Sequence, residues 1–311
     1  MVLITGTTGF VGRALLRQLL REGRELCCLI RPSGRDPCLP SGKIHVATST
    51  LHDLSSLRVA MQGVDTVIHL VGAWRDRGAD SAEWVNRQGT ANVVEAALEA
   101  GVRRFVYLSH IHADRNSAYA LLRSKGAAEE IIRSSGLRYT ILRSSLIFGP
   151  DDHFTTVLAM LLKVIPVVFP LVGEGKTRFQ PIHVDDAARC LAGCLDAYHL
   201  VDTVLRIGGP QHLSYAEVLD AVMEVMRVRR VRVRVRLPAV RTLARVSNLF
   251  FPYPPVGNAQ IDLFAIDNTT DLGNVPRNFD FEPQRFAASI DYLRRKGWRR
   301  AFLRYAYQGR R

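Results

Sequence analysis

The sequence predicts an α/β protein, a doubly wound parallel sheet with a smaller C-terminal domain set over the carboxyl edge of that sheet. Three observations carry this. Apolar β-branched runs alternate with helical periods through the first two thirds of the chain, the pattern of strands covered on both faces by crossover helices. The 311 residues are 47% hydrophobic, enough for one large or two coupled domains with a real core. From Gly149 the pattern loosens, with Gly149-Pro150, Pro166, Pro170 and Gly173-Glu174-Gly175 breaking it.

The predicted strands are Val2–Thr5, Glu25–Ile30, Lys43–Ala47, Thr66–Leu70, Arg104–Ser109, Arg138–Arg143 and Thr203–Ile207. Helices fill the gaps: Val11–Arg21, Leu54–Met61, Ala82–Ala100 closed by Gly101, Leu121–Ser134 closed by Gly136, and Asp185–Tyr198. Residues 1–150 with about 176–208 form the sheet domain on this reading, and about 151–175 with 209–311 the smaller one. In the latter, Val228–Leu237 alternates Val and Arg, a strand with one basic face. An amphipathic stretch, Val240–Phe251, follows and ends in Phe250-Phe251-Pro252-Tyr253.

Directly after the first strand comes Gly6-Thr7-Thr8-Gly9-Phe10-Val11-Gly12, opening a helix. Glycine is needed there because the backbone must turn tightly, approach a pyrophosphate without a Cβ in the way, and pack helix on strand. The first helical N–H groups are then left facing the phosphates. Strand, loop and helix in this order predict a Rossmann domain that binds a nicotinamide dinucleotide. At the end of the second strand an acid would bind a ribose 2′-hydroxyl and a base would pair with a 2′-phosphate. Leu29-Ile30-Arg31 ends that strand, Arg35 follows, and Arg13 lies beside the loop, so NADP(H) is favoured over NAD(H).

The formal net charge of +13 is regional. Arg227–Arg245 and Arg294–Arg311 each hold eight basic residues and no acid, and the remainder of the chain carries 26 basic against 29 acidic. Charge of one sign gathered in two segments points to an anionic partner. No nucleic-acid partner is expected, since the aromatics are not interleaved with the arginines and no binding motif is present. An anionic membrane surface or a membrane protein complex fits better, because an apolar run lies between the basic blocks. The longest apolar stretch, Val157–Gly173, is broken by Lys163, Pro166 and Pro170 and makes a poor spanning helix. No basic n-region precedes the first strand, so a cytoplasmic location is expected, peripheral on the membrane face if the charge is used so. The five cysteines, Cys27, Cys28, Cys38, Cys190 and Cys194, follow neither disulfide nor metal spacing and read as reduced and structural.

The glycine loop, Gly63-Val64-Asp65-Thr66-Val67-Ile68-His69-Leu70-Val71-Gly72, Asn86-Arg87-Gln88-Gly89-Thr90, Ser124-Lys125 with Glu129, Phe148-Gly149-Pro150 and Gln180-Pro181-Ile182-His183-Val184-Asp185-Asp186 together resemble an atypical or extended short-chain dehydrogenase/reductase. The branch most similar is that of the NADPH-holding accessory subunit of respiratory complex I and its bacterial relatives. The resemblance implies that His69, Leu70, Val71 and Gly72 line the cofactor, that Ile147 and Phe148 border the nicotinamide, and that Ser109 sits on the cofactor side. It also implies a Ser-Tyr-Lys triad in members that turn over, and here the pattern departs. Registered on Ser124-Lys125, Leu121 stands where the Tyr is required, and Ile111 where the Ser is. Tyr119 with Arg123 completes a Tyr-x-x-x-Arg variant if the helix begins early enough; His110 and His112 read as a replacement acid or a metal pair, but no carboxylate or Cys pattern accompanies them, so no metal is expected. Lys125 can serve as a ribose anchor without a Tyr. Two functions follow: an NADP(H)-holding structural or assembly subunit at a membrane complex, or a reductase, dehydrogenase or epimerase with a variant site.

Overall fold

The structure is a computed structural model that describes residues 1–32, 39–73, 81–254 and 256–308. The chain divides into two compact units, Met1–Ser144 with Val184–Ile207, and Ser145–His183 with Gly208–Arg311. Residues 145–150 and 176–183, assigned from sequence to the sheet domain, thus fall in the second unit. The short strands Ile147–Phe148 and Ile182–His183 explain it: they pair with each other, not with the large sheet.

The first unit is built on β1 (Val2–Thr5), β2 (Leu26–Ile30), β3 (Ile44–Thr48), β4 (Thr66–His69), β5 (Arg104–His110), β6 (Arg138–Ser144) and β7 (Thr203–Ile207). They form a seven-stranded parallel sheet in the order β7-β6-β5-β4-β1-β2-β3. Order reverses beside β1, which lies between β2 and β4. That reversal opens the crevice at the carboxyl ends where such sheets take their ligands. Central strands are apolar throughout because both faces are covered: Leu3, Ile4, Val67, Ile68, Phe105 and Val106 are fully buried. The edge strand β3 has three exposed positions of five.

Helices α1 (Phe10–Arg21), α2 (Leu54–Ala60), α3 (Ala82–Glu99), α4 (Ala120–Ser134) and α5 (Val184–Gly193) cover the sheet. Their starts follow local chemistry, since Asp53 accepts from Ser56 N at 3.1 Å and Ser81 from Trp84 N at 3.0 Å. Gly101 and Gly136, at φ 72° and 84°, close α3 and α4 as the sequence predicts. Helix α5 is shorter than predicted. Past Gly193 the bonds tighten to Leu195 N on Ala192 O, and a 3₁₀ turn, Tyr198–Leu200, completes the segment.

The second unit packs Phe148, Leu162, Phe169, Phe179, Val218, Val222, Phe286 and Trp298 into its own core. The Val/Arg run forms the strand Val231–Val235, parallel to Val168–Val172. Its valine face is not buried, Val231 and Val233 being 61% and 46% exposed; the strand belongs to a two-stranded sheet, not to the large one. The amphipathic stretch is the helix Leu237–Phe250, with Ala244 buried and Leu243 and Phe250 61% and 68% exposed. Among the described residues no helix is long and apolar enough to cross a membrane.

Candidate functional site

The glycine loop lies at the carboxyl end of β1. Gly6 has φ +76°, the left-handed turn that takes the chain off the strand, and packs against the Leu70 and Val71 backbone. A Cβ on Gly12 would lie 2.1 Å from Gly6 O and 2.8 Å from Thr7 Cα, so this glycine lets α1 press onto the loop. Gly9 is the N-cap of α1, without a side-chain cap and with no acid in the first turn, which leaves the Phe10, Val11 and Gly12 amides for a ligand. Thr8 and Gly9 are exposed. Cradle, free amides and lack of opposing charge fit a pyrophosphate. Arg13 donates to Thr8 O at 3.2 Å and braces the loop.

After β4 the chain runs through Leu70, Val71 and Gly72. Asn86 on α3 clamps it: its Nδ2 donates to Ala73 O at 2.7 Å and to Ser124 Oγ at 3.0 Å, and its Oδ1 accepts from Ala73 N at 3.0 Å. One buried amide therefore ties the segment to both α3 and α4. His69 turns the other way. Its ring is fully buried between Thr5 Oγ1, at 2.7 Å from Nδ1, and Thr90 Oγ1, at 3.1 Å from Nε2. Burial, assisted by the Lys125 charge, drops its pKa to about 3, so it is a neutral core residue that offers a ligand only its main chain.

Lys125 projects from α4 toward this segment. Its Nζ donates to Leu108 O at 3.1 Å, lies over the Tyr107 ring at 4.7 Å, and would meet a Cβ on Gly72 at 2.9 Å. Burial lowers its pKa to about 8, with the Glu129 charge opposing. Glu129, one turn on and fully buried, binds Arg143 through Nε at 3.0 and 3.1 Å and Nη2 at 2.6 Å, and accepts from Ser109 Oγ at 2.5 Å. Ser109 is thus engaged with Glu129, and α4 is locked to the ends of β5 and β6.

Tyr119 and Arg123, the pair read from the spacing of four, are not joined. Helix α4 begins at Ala120 and Tyr119 is its extended N-cap, at φ −89° and ψ 120°. The turn before it is fixed by Asp114, which accepts from Asn116 N at 2.8 Å, and by Ser117 Oγ, which accepts from Tyr119 N at 3.2 Å. Arg123 is exposed and donates to Ser117 O at 3.2 Å; among the described residues no hydrogen bond or ring contact joins it to the Tyr119 hydroxyl. The Tyr-x-x-x-Arg pair needed a helix starting earlier than this turn allows. His110 is half-buried and its Nδ1–H donates to Ile111 O at 2.5 Å; desolvation, with the His112 and Lys125 charges adding to it and the Ile111 bond opposing, lowers its pKa to about 4. His112 is exposed with a left-handed φ of 66°.

Arg31, exposed, follows the last residue of β2. Arg35 and Cys38 lie outside the described residues. Ile147 and Phe148 belong to the second unit, where Phe148 is fully buried with ring centroids 4.8 Å from Phe286 and 5.3 Å from His183. Cys27, Cys28, Cys190 and Cys194 are free and buried, and burial raises all four thiol pKa values. Sequence reasoning missed the roles of Asn86, Glu129 and Arg143. The signal available was polar residues at positions whose neighbours are apolar on a buried strand or helix face.

Comparison with known proteins places these features. The model of the NAD dependent epimerase/dehydratase family matches residues 2–208. Ceramide reductase of Caulobacter vibrioides is 31% identical, over 96% of either chain. The Arabidopsis thaliana mitochondrial NADH dehydrogenase (ubiquinone) 1 alpha subcomplex subunit 9 is 27% identical over 91% of this chain and 76% of its own. The Escherichia coli NADPH-dependent quinone oxidoreductase structure superposes with a TM-score of 0.76 over 94% of this chain and 99% of that one. At 19% identity it speaks for the fold alone. The chain therefore belongs to the NAD dependent epimerase/dehydratase family, short-chain dehydrogenase/reductase-like proteins that bind a nicotinamide dinucleotide on a Rossmann sheet.

Proposed function

We propose that this chain binds NADP(H) as a resident, fold-stabilising ligand and works as a structural or assembly protein docked on a membrane surface or a membrane complex. The observation that carries the reading is Lys125. It is aimed at Gly72, where a ribose can meet it, while Tyr119 lies outside its helix and Leu121 occupies the position four residues before it. The cofactor side is furnished and the acid is not. A ligand bound only by the native state stabilises it by mass action, so such a site serves without turnover.

Arg31, exposed just past the end of β2, supports a 2′-phosphate and hence NADP(H) over NAD(H). The likeness to an NADH dehydrogenase subunit supports a membrane-complex partner. So do exposed Leu243 and Phe250 on a helix that also carries Arg241 and Arg245. The test is to purify the chain, assay the extracted dinucleotide, and mix the loaded protein anaerobically with carbonyl and quinone compounds. Retained NADP(H) without oxidation is expected; loss of the dinucleotide on gel filtration would overturn the reading.

A second reading is favoured by the full-length likeness to a ceramide reductase. The dinucleotide would then supply hydride to a lipid-borne carbonyl, Lys125 would hold the ribose, and exposed His112, at its left-handed φ of 66°, would give the proton. Oxidation with a long-chain ketone that disappears in His112→Ala and survives in Tyr119→Phe would establish it.

A further inference from the structure

Within the second unit a recess of about 600 Å³ opens where the helix Trp298–Gln308 begins. Its wall carries six cations, Lys163, Arg294, Arg295, Lys296, Arg299 and Arg300, and no carboxylate. Two are engaged at the rim, Arg294 with Asp291 at 3.2 Å and Arg295 with Asp151 at 3.4 Å. Among the described residues the other four have no carboxylate partner.

The floor of the recess and two of its arginines are held in place by specific contacts. Trp298, 2% exposed, makes its floor with Met226 and Leu293, and its Nε1 donates to Leu293 O at 3.0 Å. The Arg295 guanidinium stacks 4.2 Å over that indole, which fixes its plane. Arg299 Nε donates to Lys163 O at 3.0 Å, which ties the start of this helix to the segment that carries Lys163. Ala301 N bonds to Gly297 O at 2.9 Å, so the Trp298, Arg299 and Arg300 amides at the recess have no helical acceptor, and the first turn holds no acid.

A merely solvated basic face spreads its cations and interleaves acids, because crowded like charges destabilise the folded state. Here they converge on one concavity, and a counter-charge relieves the repulsion. A single carboxylate has too few acceptors for four unpaired cations and three amides. A phosphate has the oxygens and the charge, and a planar guanidinium such as that of Arg300 can match two of those oxygens at once.

We propose that this recess is a phosphate-binding site, which takes the phosphate of an anionic lipid headgroup or of a soluble phosphate ester. It refines the membrane reading above without needing it, since a soluble ester would fill the recess even if the protein never meets a membrane.

The experiment uses the full chain with its dinucleotide. Glycerol 3-phosphate is titrated by calorimetry at fixed ionic strength, and phosphatidylglycerol vesicles are compared with phosphatidylcholine vesicles by sedimentation. Lys296→Gln with Arg300→Gln alters two exposed cations of the recess. Arg229→Gln with Arg234→Gln removes the same charge from the exposed basic strand and its approach, and far-UV circular dichroism confirms folding of both. Saturable binding weakened about tenfold by the recess pair and less than about twofold by the strand pair is expected. Glycerol 3-phosphate binding identifies a soluble ester; binding confined to phosphatidylglycerol vesicles identifies a headgroup. Equal weakening by both pairs would mean diffuse charge and overturn the site, as would no saturable binding to either probe.

Discussion

Replacing Lys125 by methionine sets its cost to the fold against its use to the ligand. Burial holds its pKa at about 8 rather than 10.5, a penalty of about 3 kcal/mol for carrying the charge at neutral pH. The side chain keeps partial contact with solvent, which reduces this to about 2 kcal/mol, and the bond to Leu108 O returns about 1. The pH dependence isolates the burial component. Because the folded pKa is the lower one, between pH 8 and 10.5 the unfolded chain holds a proton that the folded chain has shed, so wild-type stability rises through this window. Below pH 8 both states are charged and the penalty stands in full. Methionine carries no such cost. The stability of Lys125→Met relative to wild type should therefore be greatest below pH 8 and fall by about 2 kcal/mol by pH 10.5, as read by urea melts at the two ends. NADP(H) affinity should drop by about tenfold or more at neutral pH with the loss of a charge-assisted bond. A stability difference that stays flat across the window would refute the desolvated ammonium, and unchanged affinity would remove Lys125 from the ribose.

Gly12→Ala puts a Cβ 2.1 Å from Gly6 O, a backbone atom that cannot swing away, and should cost about 1–3 kcal/mol in a thermal melt together with dinucleotide binding. Gly9→Val meets only Gly6 O, at 3.0 Å, and should fold nearly normally while failing to bind, because its branch fills the pyrophosphate's space; calorimetry with NADP(H) separates the two. Glu129→Gln leaves Arg143 with an uncompensated charge in a closed site and should cost about 3–5 kcal/mol in urea, while the Lys125 pKa falls further because the Glu129 charge that raises it is gone. Arg31→Ala should narrow the preference for NADP(H) over NAD(H) about tenfold in parallel titrations; an unaltered ratio would place the 2′-phosphate elsewhere.

Strand positions were legible to within a residue or two because burial on both faces writes itself as a continuous apolar run, as in Leu3-Ile4 or Phe105-Val106. The buried charges were harder to read. Arg143 stands next to the end of an apolar strand and Glu129 lies on a helix 14 residues earlier, and neither residue type in isolation announces its partner. Tyr119 misled for a related reason. A spacing of four says which residues share a helix face only once the helix start is known, and here Asp114 and Ser117 fix a turn that delays the start to Ala120.

The sequence by itself determined the glycine loop, its place between the first strand and helix, and the alternation that makes a parallel sheet. These are local constraints of φ, Cβ space and periodicity, satisfied within a few consecutive residues. Only the tertiary structure decided that His69 turns inward to Thr5 and Thr90, that Asn86 clamps Ala73 to Ser124, and that Lys125 rests between Leu108 O and the Tyr107 ring. Those groups lie up to 64 residues apart in the chain. The order β5-β4-β1 sets which strand ends are neighbours, and with it which side chains share a low-dielectric space and shift one another's charge.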